Sequence, residues 1–238
     1  AISVMPDPIS STTVPMDLAK FQDPLLTAKG EERAVVSLTQ LHTVWFNTGS
    51  LCNITCNNCY MDSSPTNDKL EYLSLSQVVT YLDEVLVEGY PVEKIAYTGG
   101  EPFMNKDLPA MIDESLTRGF RVLVLTNAMR PLHRRYEDLL AIRECHGDAL
   151  EVRVSIDHFT REKHENIRGT CTWEPMIEGL RWLAANNFNL YVAGRTCWDE
   201  TDSEARAGYR AFFQSEDISI DVDDPARLVL FPEMDMSV

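Results

Sequence analysis

The sequence has no long apolar run and comparatively few basic residues. No stretch approaches the roughly 18 consecutive apolar residues that a transmembrane helix requires, and the first residues lack the basic-then-apolar pattern of a signal peptide. Lysine and arginine number 21, against 37 aspartates and glutamates, which gives a formal net charge of -16. Because a nucleic-acid surface needs clustered positive charge, we expect no nucleic-acid partner. We also expect no membrane association.

Cysteine is sparse as well, with six residues among 238. Secreted disulfide scaffolds are short and cysteine-dense, so this number predicts free thiols in a reducing compartment and a cytoplasmic protein. Hydrophobic residues make up 44% of the chain, enough for a buried core, and the length fits one large domain. Four prolines interrupt any regular pattern before residue 40. We therefore predict an irregular N-terminal arm over residues 1–40 and a core domain over residues 41–238.

Short β-branched runs alternate with amphipathic stretches from Thr43 onward. Six of these runs are predicted to be strands, namely Thr43–Phe46, Lys94–Tyr97, Arg121–Leu125, Leu150–Ile156, Asn189–Ala193 and Arg227–Phe231. Helices are predicted between them, over Ser74–Glu88, from a cap at Asp107 to Leu116, from Pro131 towards Gly147, over Trp173–Ala185 and over Ser203–Gln214. Alternation of this kind predicts βα units and a parallel sheet, and hence an α/β fold.

The sheet must either open into a doubly wound form or curl into a barrel. The sequence stops within a few residues of the sixth predicted strand. We therefore expect a partial (β/α)6 barrel, truncated after that strand. In either arrangement ligands collect at the carboxyl ends of the strands, so the residues just after each strand are the informative ones.

Three cysteines lie within one short segment directly after the first predicted strand. Cys52, Cys56 and Cys59 can converge on one centre from a single loop, and thiolates suit zinc or iron–sulfur clusters. A structural zinc site needs four ligands, and no nearby cysteine or histidine is an evident fourth. Three thiolates on a four-iron cluster leave one iron open to a substrate or cofactor. The other three cysteines are isolated in the sequence and are interpreted as ordinary thiols: Cys145, Cys171 and Cys197.

Polar motifs follow the next three predicted strands. The second ends in Thr98–Pro102, whose glycine pair lets the backbone approach a ligand closely. The third ends in Thr126–Ala128, where a turn-forming asparagine is an alternative interpretation. The fourth ends in Ser155 and Asp157, which a period of two places on the same face.

Together, the Cys-x3-Cys-x2-Cys loop and these ordered motifs resemble the signature of the radical S-adenosylmethionine (SAM) enzymes. The likeness is strongest to the branch that modifies peptides or cofactor precursors. It implies that Cys52, Cys56 and Cys59 hold a [4Fe-4S] cluster whose fourth iron binds SAM. It also implies cofactor contacts from the following residues: Asn58, Tyr60, Gly99, Gly100, Glu101, Pro102, Thr126, Asn127, Ser155, Asp157, Arg168 and Arg195.

Within that resemblance, Gly99–Pro102 would hold the amino group of SAM and Arg168 its carboxylate. For Arg168 a surface salt bridge is an open alternative, and for Arg195 a structural ion pair is. Two positions depart from the family pattern. Ala128 stands where glycine is usual, and Asn58 stands where an aromatic residue commonly precedes the third cysteine, although Tyr60 follows it.

The implied activity is reductive cleavage of SAM to a 5′-deoxyadenosyl radical, which abstracts hydrogen from a peptide or small-molecule substrate. A reductant protein such as flavodoxin or ferredoxin is the expected electron donor. The competing hypothesis is a non-catalytic metal or iron–sulfur electron-transfer protein. That hypothesis accounts for the cysteines but leaves Gly99–Pro102 unexplained.

Overall fold

The structure, a computed structural model of the 238-residue chain, describes residues 22–37 and 39–232. The chain divides into two units, one of residues 1–39 with 234–238 and the other Gln40–Glu233. In the first unit the described residues include a short turn closed by an antiparallel bridge between Leu26 and Glu32. Residues 1–21, 38 and 233–238 of the predicted arm and core lie outside the described part. The boundary at residue 40 stays a prediction.

The second unit contains one sheet of six parallel strands in sequence order. The strands are β1 (Thr43–Asn47), β2 (Lys94–Thr98), β3 (Arg121–Thr126), β4 (Leu150–Ser155), β5 (Asn189–Thr196) and β6 (Leu228–Pro232). Each pairs in parallel with the strand before it, and the register aligns Thr43 with Lys94 and Arg153 with Tyr191. The six predicted strands and the partial barrel are therefore confirmed.

Seven helices connect and flank these strands in the described residues. They are α1 (Leu75–Val87), α2 (Leu108–Thr117), α3 (Arg130–His133), α4 (Tyr136–His146), α5 (Arg161–Arg168), α6 (Trp173–Ala185) and α7 (Asp202–Ser215). The sequence did not predict α5, and the third predicted helix is two helices. Asp107 precedes α2 as expected, but its backbone is already helical and its side chain makes no capping hydrogen bond. Ser74 does cap α1, in a reciprocal capping box with Gln77.

The two faces of the sheet have different roles. Because crossovers between parallel strands are right-handed and the strands follow in order, the connecting helices lie on the same face. Residues on that face, such as Ile95, Tyr97, Val122, Val152 and Val192, are fully buried in the core. The alternate residues form the opposite surface, here called the concave face: Thr43, Trp45, Lys94, Ala96, Arg121, Leu123, Leu125, Glu151, Arg153, Ser155, Asn189, Tyr191, Ala193, Val229 and Phe231.

We also examined the helices for the length and apolar character that crossing a bilayer requires. Among the described residues none has both.

Candidate active site

The cysteine loop follows β1 and is fixed by hydrogen bonds from two sides. The Cys52 N–H donates to the Ser64 carbonyl over 3.1 Å, and the Asn57 N–H donates to the Ile167 carbonyl over 2.7 Å. The Asn57 side chain also donates to the Asn166 carbonyl over 2.7 Å. The loop is thus tied both to its own return segment and to the end of α5.

The glycine pair after β2 packs directly beneath this loop. A side chain at Gly100 would overlap the carbonyl of Leu51, and one at Gly99 would lie 2.7 Å from the Thr48 hydroxyl oxygen. Gly99 also has a φ of +148°, which side chains disfavour. The glycines therefore allow two strand-end loops to touch. The predicted role of this glycine pair, the close approach of a ligand, stays a prediction.

Glu101 joins the ends of β2 and β3. Its Oε1 accepts from the Thr126 hydroxyl at 2.8 Å and from the Phe103 N–H at 3.1 Å, and its Oε2 accepts from the Asn127 N–H at 2.8 Å. The residue is only 2% exposed. Burial raises the pKa of Glu101 to about 7, although these three hydrogen bonds act in the opposite direction. Pro102 is buried beside it and begins a short 3-10 turn.

Asn127 links this network to the first cysteine. Its amide nitrogen donates to the Asn53 side-chain oxygen over 2.9 Å and lies 3.9 Å from the Cys52 sulfur. Its oxygen accepts from the Met129 N–H, so the turn-forming interpretation of this asparagine is confirmed as well. Ala128 follows with a φ of +57°, the left-handed conformation that explains the family's preference for glycine here. Sequence reasoning missed Asn53, whose only signal is its place beside Cys52.

Asp157, just after β4, lies between Arg168 at the end of α5 and Arg195 near the end of β5. The Arg168 Nε lies 2.8 Å from the Asp157 Oδ2, and the Arg195 Nε lies 3.3 Å from Oδ1. Burial alone would raise the pKa of Asp157, but the charges of Arg168 and Arg195 outweigh it and hold this pKa below the usual range. The structural ion pair left open for Arg195 is therefore present, and Arg168 is paired as well, but in a buried and not a surface salt bridge. Ser155, one step down β4, is half-buried on the same face.

The remaining predicted contacts lie on the cysteine loop itself. Asn58 has a φ of +55°, and Tyr60 is 73% exposed, with its hydroxyl 3.4 Å from the Thr98 hydroxyl. Their contact with a cofactor stays a prediction.

A charged cluster that the sequence did not predict lies beside Asp157. His158 is buried, its Nε2 lies 3.1 Å from both carboxylate oxygens of Glu200, and its Nδ1 accepts from the Thr160 N–H at 2.9 Å. Lys163 also pairs with Glu200. These bonds tie the loop after β5 to the loop after β4. In the sequence, His158 is an isolated histidine beside Asp157, and no pattern indicates its contact with Glu200, 42 positions away.

The three cysteines were tested as a ligand set for a metal cluster. All six cysteines are free thiols, and Cys52 is buried while Cys56 and Cys59 are partly exposed. Among the described residues, no three histidine, cysteine, aspartate or glutamate side chains stand close enough to hold one metal ion. The thiols are thus not gathered in this structure, and their ligand role stays a prediction.

In donor chemistry and charge, however, the loop fits an iron–sulfur cluster. It carries three thiols, the ligand type that such clusters take. Burial raises the pKa of Cys52 to about 12 and also raises that of Cys56. The charge of Arg168 lowers both, and so favours the thiolates that a cluster requires.

The order of these elements and motifs is that of a known superfamily. The sequence profile of the Radical SAM superfamily matches residues 46–207, which include the cysteine loop and strands β2 to β5. The chain belongs to the radical SAM superfamily, a class of enzymes whose cofactors are a [4Fe-4S] cluster and SAM.

Individual relatives share moderate identity over part of their length. The chain is 27% identical over 174 residues to a probable GTP 3′,8-cyclase from Metallosphaera sedula, covering 72% of this chain and 50% of that protein. It is 31% identical over 137 residues to the mycofactocin maturase MftC from Mycobacterium tuberculosis, covering 58% of this chain and 33% of that protein. The chain therefore spans half or less of the length of these relatives.

Among solved structures, Streptococcus suis SuiB bound to the precursor peptide SuiA matches with a TM-score of 0.62 at 11% identity. The match covers 83% of this chain and 40% of that chain. At this identity the likeness concerns the fold alone. It agrees with the six-stranded partial barrel.

Proposed function

We propose that this chain reductively cleaves SAM at a [4Fe-4S] cluster and directs the radical to a C–H bond of a peptide or small-molecule substrate. One observation carries the proposal. Residues 48–51, which lead into the three-cysteine loop, lie against the Gly99–Gly100 turn, and Asn127 joins the first cysteine to the Glu101 network. Family membership gives this arrangement its chemistry.

When bound, the cluster and SAM supply one electron and a 5′-deoxyadenosyl radical that removes a hydrogen atom from the substrate. The work of the chain is to hold and position them. Cys52, Cys56 and Cys59 would ligate three irons as thiolates. Burial of these thiols opposes their deprotonation, and the Arg168 guanidinium counters part of that cost.

The buried groups around the loop would keep it in place. Glu101, through its bonds to Thr126 and Asn127, fixes the ends of β2 and β3 against the first cysteine. Asp157, just after β4, holds Arg168 at the end of α5 and Arg195 near the end of β5. In the proposed complex these groups, with Asn58, Tyr60 and Ser155, line the space for SAM.

The substrate class is proposed from the relatives. MftC is a maturase, and the SuiB structure contains a precursor peptide, whereas the cyclase acts on GTP. A peptide or a small molecule therefore suits the concave face. A flavodoxin or ferredoxin is proposed as the electron donor, and a cytoplasmic location agrees with the six free thiols.

Anaerobic reconstitution tests the proposal. We expect about four irons per chain and release of 5′-deoxyadenosine from SAM in the presence of dithionite. Cys56→Ala should lose both the cluster absorbance and the product. The matched control is Cys145→Ala, which removes an exposed thiol remote from the loop and should retain both.

Two outcomes would contradict the proposal. A folded, iron-loaded protein that forms no 5′-deoxyadenosine would favour the electron-transfer alternative. Binding of about one zinc with no iron–sulfur absorbance would favour a non-catalytic metal protein.

A further inference from the structure

The concave face carries positive charge that its own carboxylates do not neutralise. Glu151 is 1% exposed, and its two oxygens are engaged by the Lys94 ammonium at 2.7 Å and the Arg121 guanidinium at 2.7 Å. Asp148 also faces Arg121. Arg153 lies one step further along β4 on the same face, beyond a carboxylate that two other cations already share.

Arg153 makes no ion pair among the described residues, although the charge of Glu151 acts on it. Its Nε is buried and has no hydrogen-bond partner among the described residues. Its guanidinium carbon lies 5.7 Å from the centre of the Tyr191 ring. Burial lowers the pKa of Arg153, which means that its charge is desolvated more than it is compensated. A buried nitrogen of a charged guanidinium is costly when it has no hydrogen-bond partner.

A second arginine stands at the same ring. The guanidinium carbon of Arg227 lies 4.3 Å from the centre of the Tyr191 ring. Its described hydrogen bonds go to neutral acceptors, the Asn189 side-chain oxygen at 2.5 Å and the Leu190 carbonyl at 2.9 Å. Two guanidinium groups therefore flank one tyrosine in a chain whose net charge is -16.

The position of Arg153 relates it to the proposed active site. Strand residues on one face are spaced by roughly 7 Å, so Arg153 lies about 13 Å along β4 from Asp157, with Ser155 between them. That distance is within reach of a substituent on a substrate whose reacting carbon lies near the strand ends.

We propose that Arg153 binds a carboxylate of the substrate on the concave face, with Tyr191 as the wall of this site and Arg227 as the second cation. A planar fork held against an aromatic ring matches the two oxygens of a carboxylate. This inference rests on the proposed function only in calling the bound molecule a substrate. The binding of the carboxylate itself depends on neither the cluster nor SAM.

Glutarate is the first probe, measured by calorimetry on the full chain both as purified and after reconstitution with its cluster. We expect wild type to bind glutarate and not the neutral isostere glutaramide. Arg153→Gln should weaken binding roughly tenfold to a hundredfold, because a charge-assisted hydrogen-bonded pair is lost. Arg153→Lys keeps the charge but not the fork and should give an intermediate affinity.

The matched control is Arg210→Gln, which removes an exposed arginine that pairs with Asp223 on another surface. It should bind glutarate as wild type does. The inference is overturned if wild type binds no glutarate, or if Arg153→Gln binds it equally well.

A stability measurement separates a ligand site from a structural role. Without glutarate, Arg153→Gln should melt at the same or a higher temperature than wild type, since it removes a desolvated charge that lacks a carboxylate partner. A clear fall in the melting temperature of both Arg153→Gln and Arg153→Lys would instead assign the guanidinium to the fold and overturn the inference.

Short peptides then identify the source of the carboxylate. Three acetylated pentapeptides are compared: one with a central glutamate and an amidated end, one with glutamine and an amidated end, and one with glutamine and a free C-terminus. Tighter binding of the first or the third supports the site and assigns it to a side-chain or a terminal carboxylate. Equal binding of all three overturns it. Formation of 5′-deoxyadenosine is scored separately, so failure of the carboxylate site and failure of the proposed function are distinguishable.

Discussion

Two of the buried carboxylates among the described residues lie just after strands, and their surroundings differ in kind. Glu101, after β2, is surrounded by hydrogen-bond donors that carry no charge, from Phe103, Thr126 and Asn127. Asp157, after β4, is paired with the guanidinium groups of two arginines. Both residues are 3% exposed or less.

The pKa values of the two groups consequently move in opposite directions. Burial dominates at Glu101 and raises its pKa to about 7, whereas the arginine charges dominate at Asp157 and lower its pKa. The difference shows that a buried acid need not be a charged acid. The half of the site nearest Cys52 is held by a network that can take up a proton near neutral pH, and the other half by fixed ion pairs.

The largest expected effect concerns the ion pair. Asp157→Asn should lower the free energy of unfolding by about 3 to 5 kcal/mol, because it leaves the charge of Arg168 buried without its partner. Urea denaturation at neutral pH measures the loss. The control is Asp223→Asn, which breaks an exposed pair with Arg210 and should cost less than about 1 kcal/mol. Equal losses in the two variants would show that Asp157 is not a buried anchor.

A smaller effect, dependent on pH, is expected at Glu101. Its folded-state pKa of about 7 lies above the ordinary value of 4.5, so the folded protein keeps a proton that the unfolded chain has lost. The stability contributed by that proton is present below about pH 4.5 and is lost as the pH rises through 7. Relative to Glu101→Gln, which does not titrate, wild type should lose about 2 to 3 kcal/mol between pH 5 and pH 8.

Asp157→Asn serves as the contrast for this measurement. Since the pKa of Asp157 is lowered, its stabilisation is lost only in acid, below about pH 4, and its deficit should stay constant between pH 5 and pH 8. A flat difference for Glu101→Gln over the same range would mean that Glu101 is charged throughout, and the contrast between the two acids would not hold.

The smallest expected effect concerns a single donor to Glu101. Thr126→Val keeps the shape of the side chain but removes the hydroxyl that donates to Glu101 and accepts from the Ala128 N–H. We expect a loss of about 1 to 2 kcal/mol in the free energy of unfolding. Thr80→Val, on the exposed side of α1, is the control and should change it by less than about 0.5 kcal/mol. No difference between the two would argue that Glu101 does not depend on its neutral donors.

Most of the fold followed from the periodicity of the sequence. Apolar runs and amphipathic stretches predicted the six strands within three residues at each end. The helix α5 was missed because only His164 and Ile167 of its eight residues are buried, so it has almost no apolar face to detect. The division between α3 and α4 was missed because Pro131 suits the first turn of a long helix as well as of a short one.

The sequence indicated individual candidate residues of the site, but not which of them pair with one another. The motifs identified Glu101, Asp157 and Arg168, yet the sequence did not reveal that Asp157 pairs with both arginines or that Glu101 is bonded to the next strand. Those contacts depend on the register of neighbouring strands, which local spacing does not encode. Charged residues alternate with valine along β4, a pattern that is unusual for a strand buried on both faces. This pattern is the sequence feature that distinguishes Arg153.

The hydrogen bonds of Asn57 also determine when the cysteine loop can be completed during synthesis. The strands are laid down in sequence, so each can pair as soon as the next leaves the ribosome. The cysteine loop is among the first parts made, but its bonds to Asn166 and Ile167 wait for more than a hundred further residues. The loop is therefore synthesised early, but it acquires these bonds only after the chain has been translated through α5.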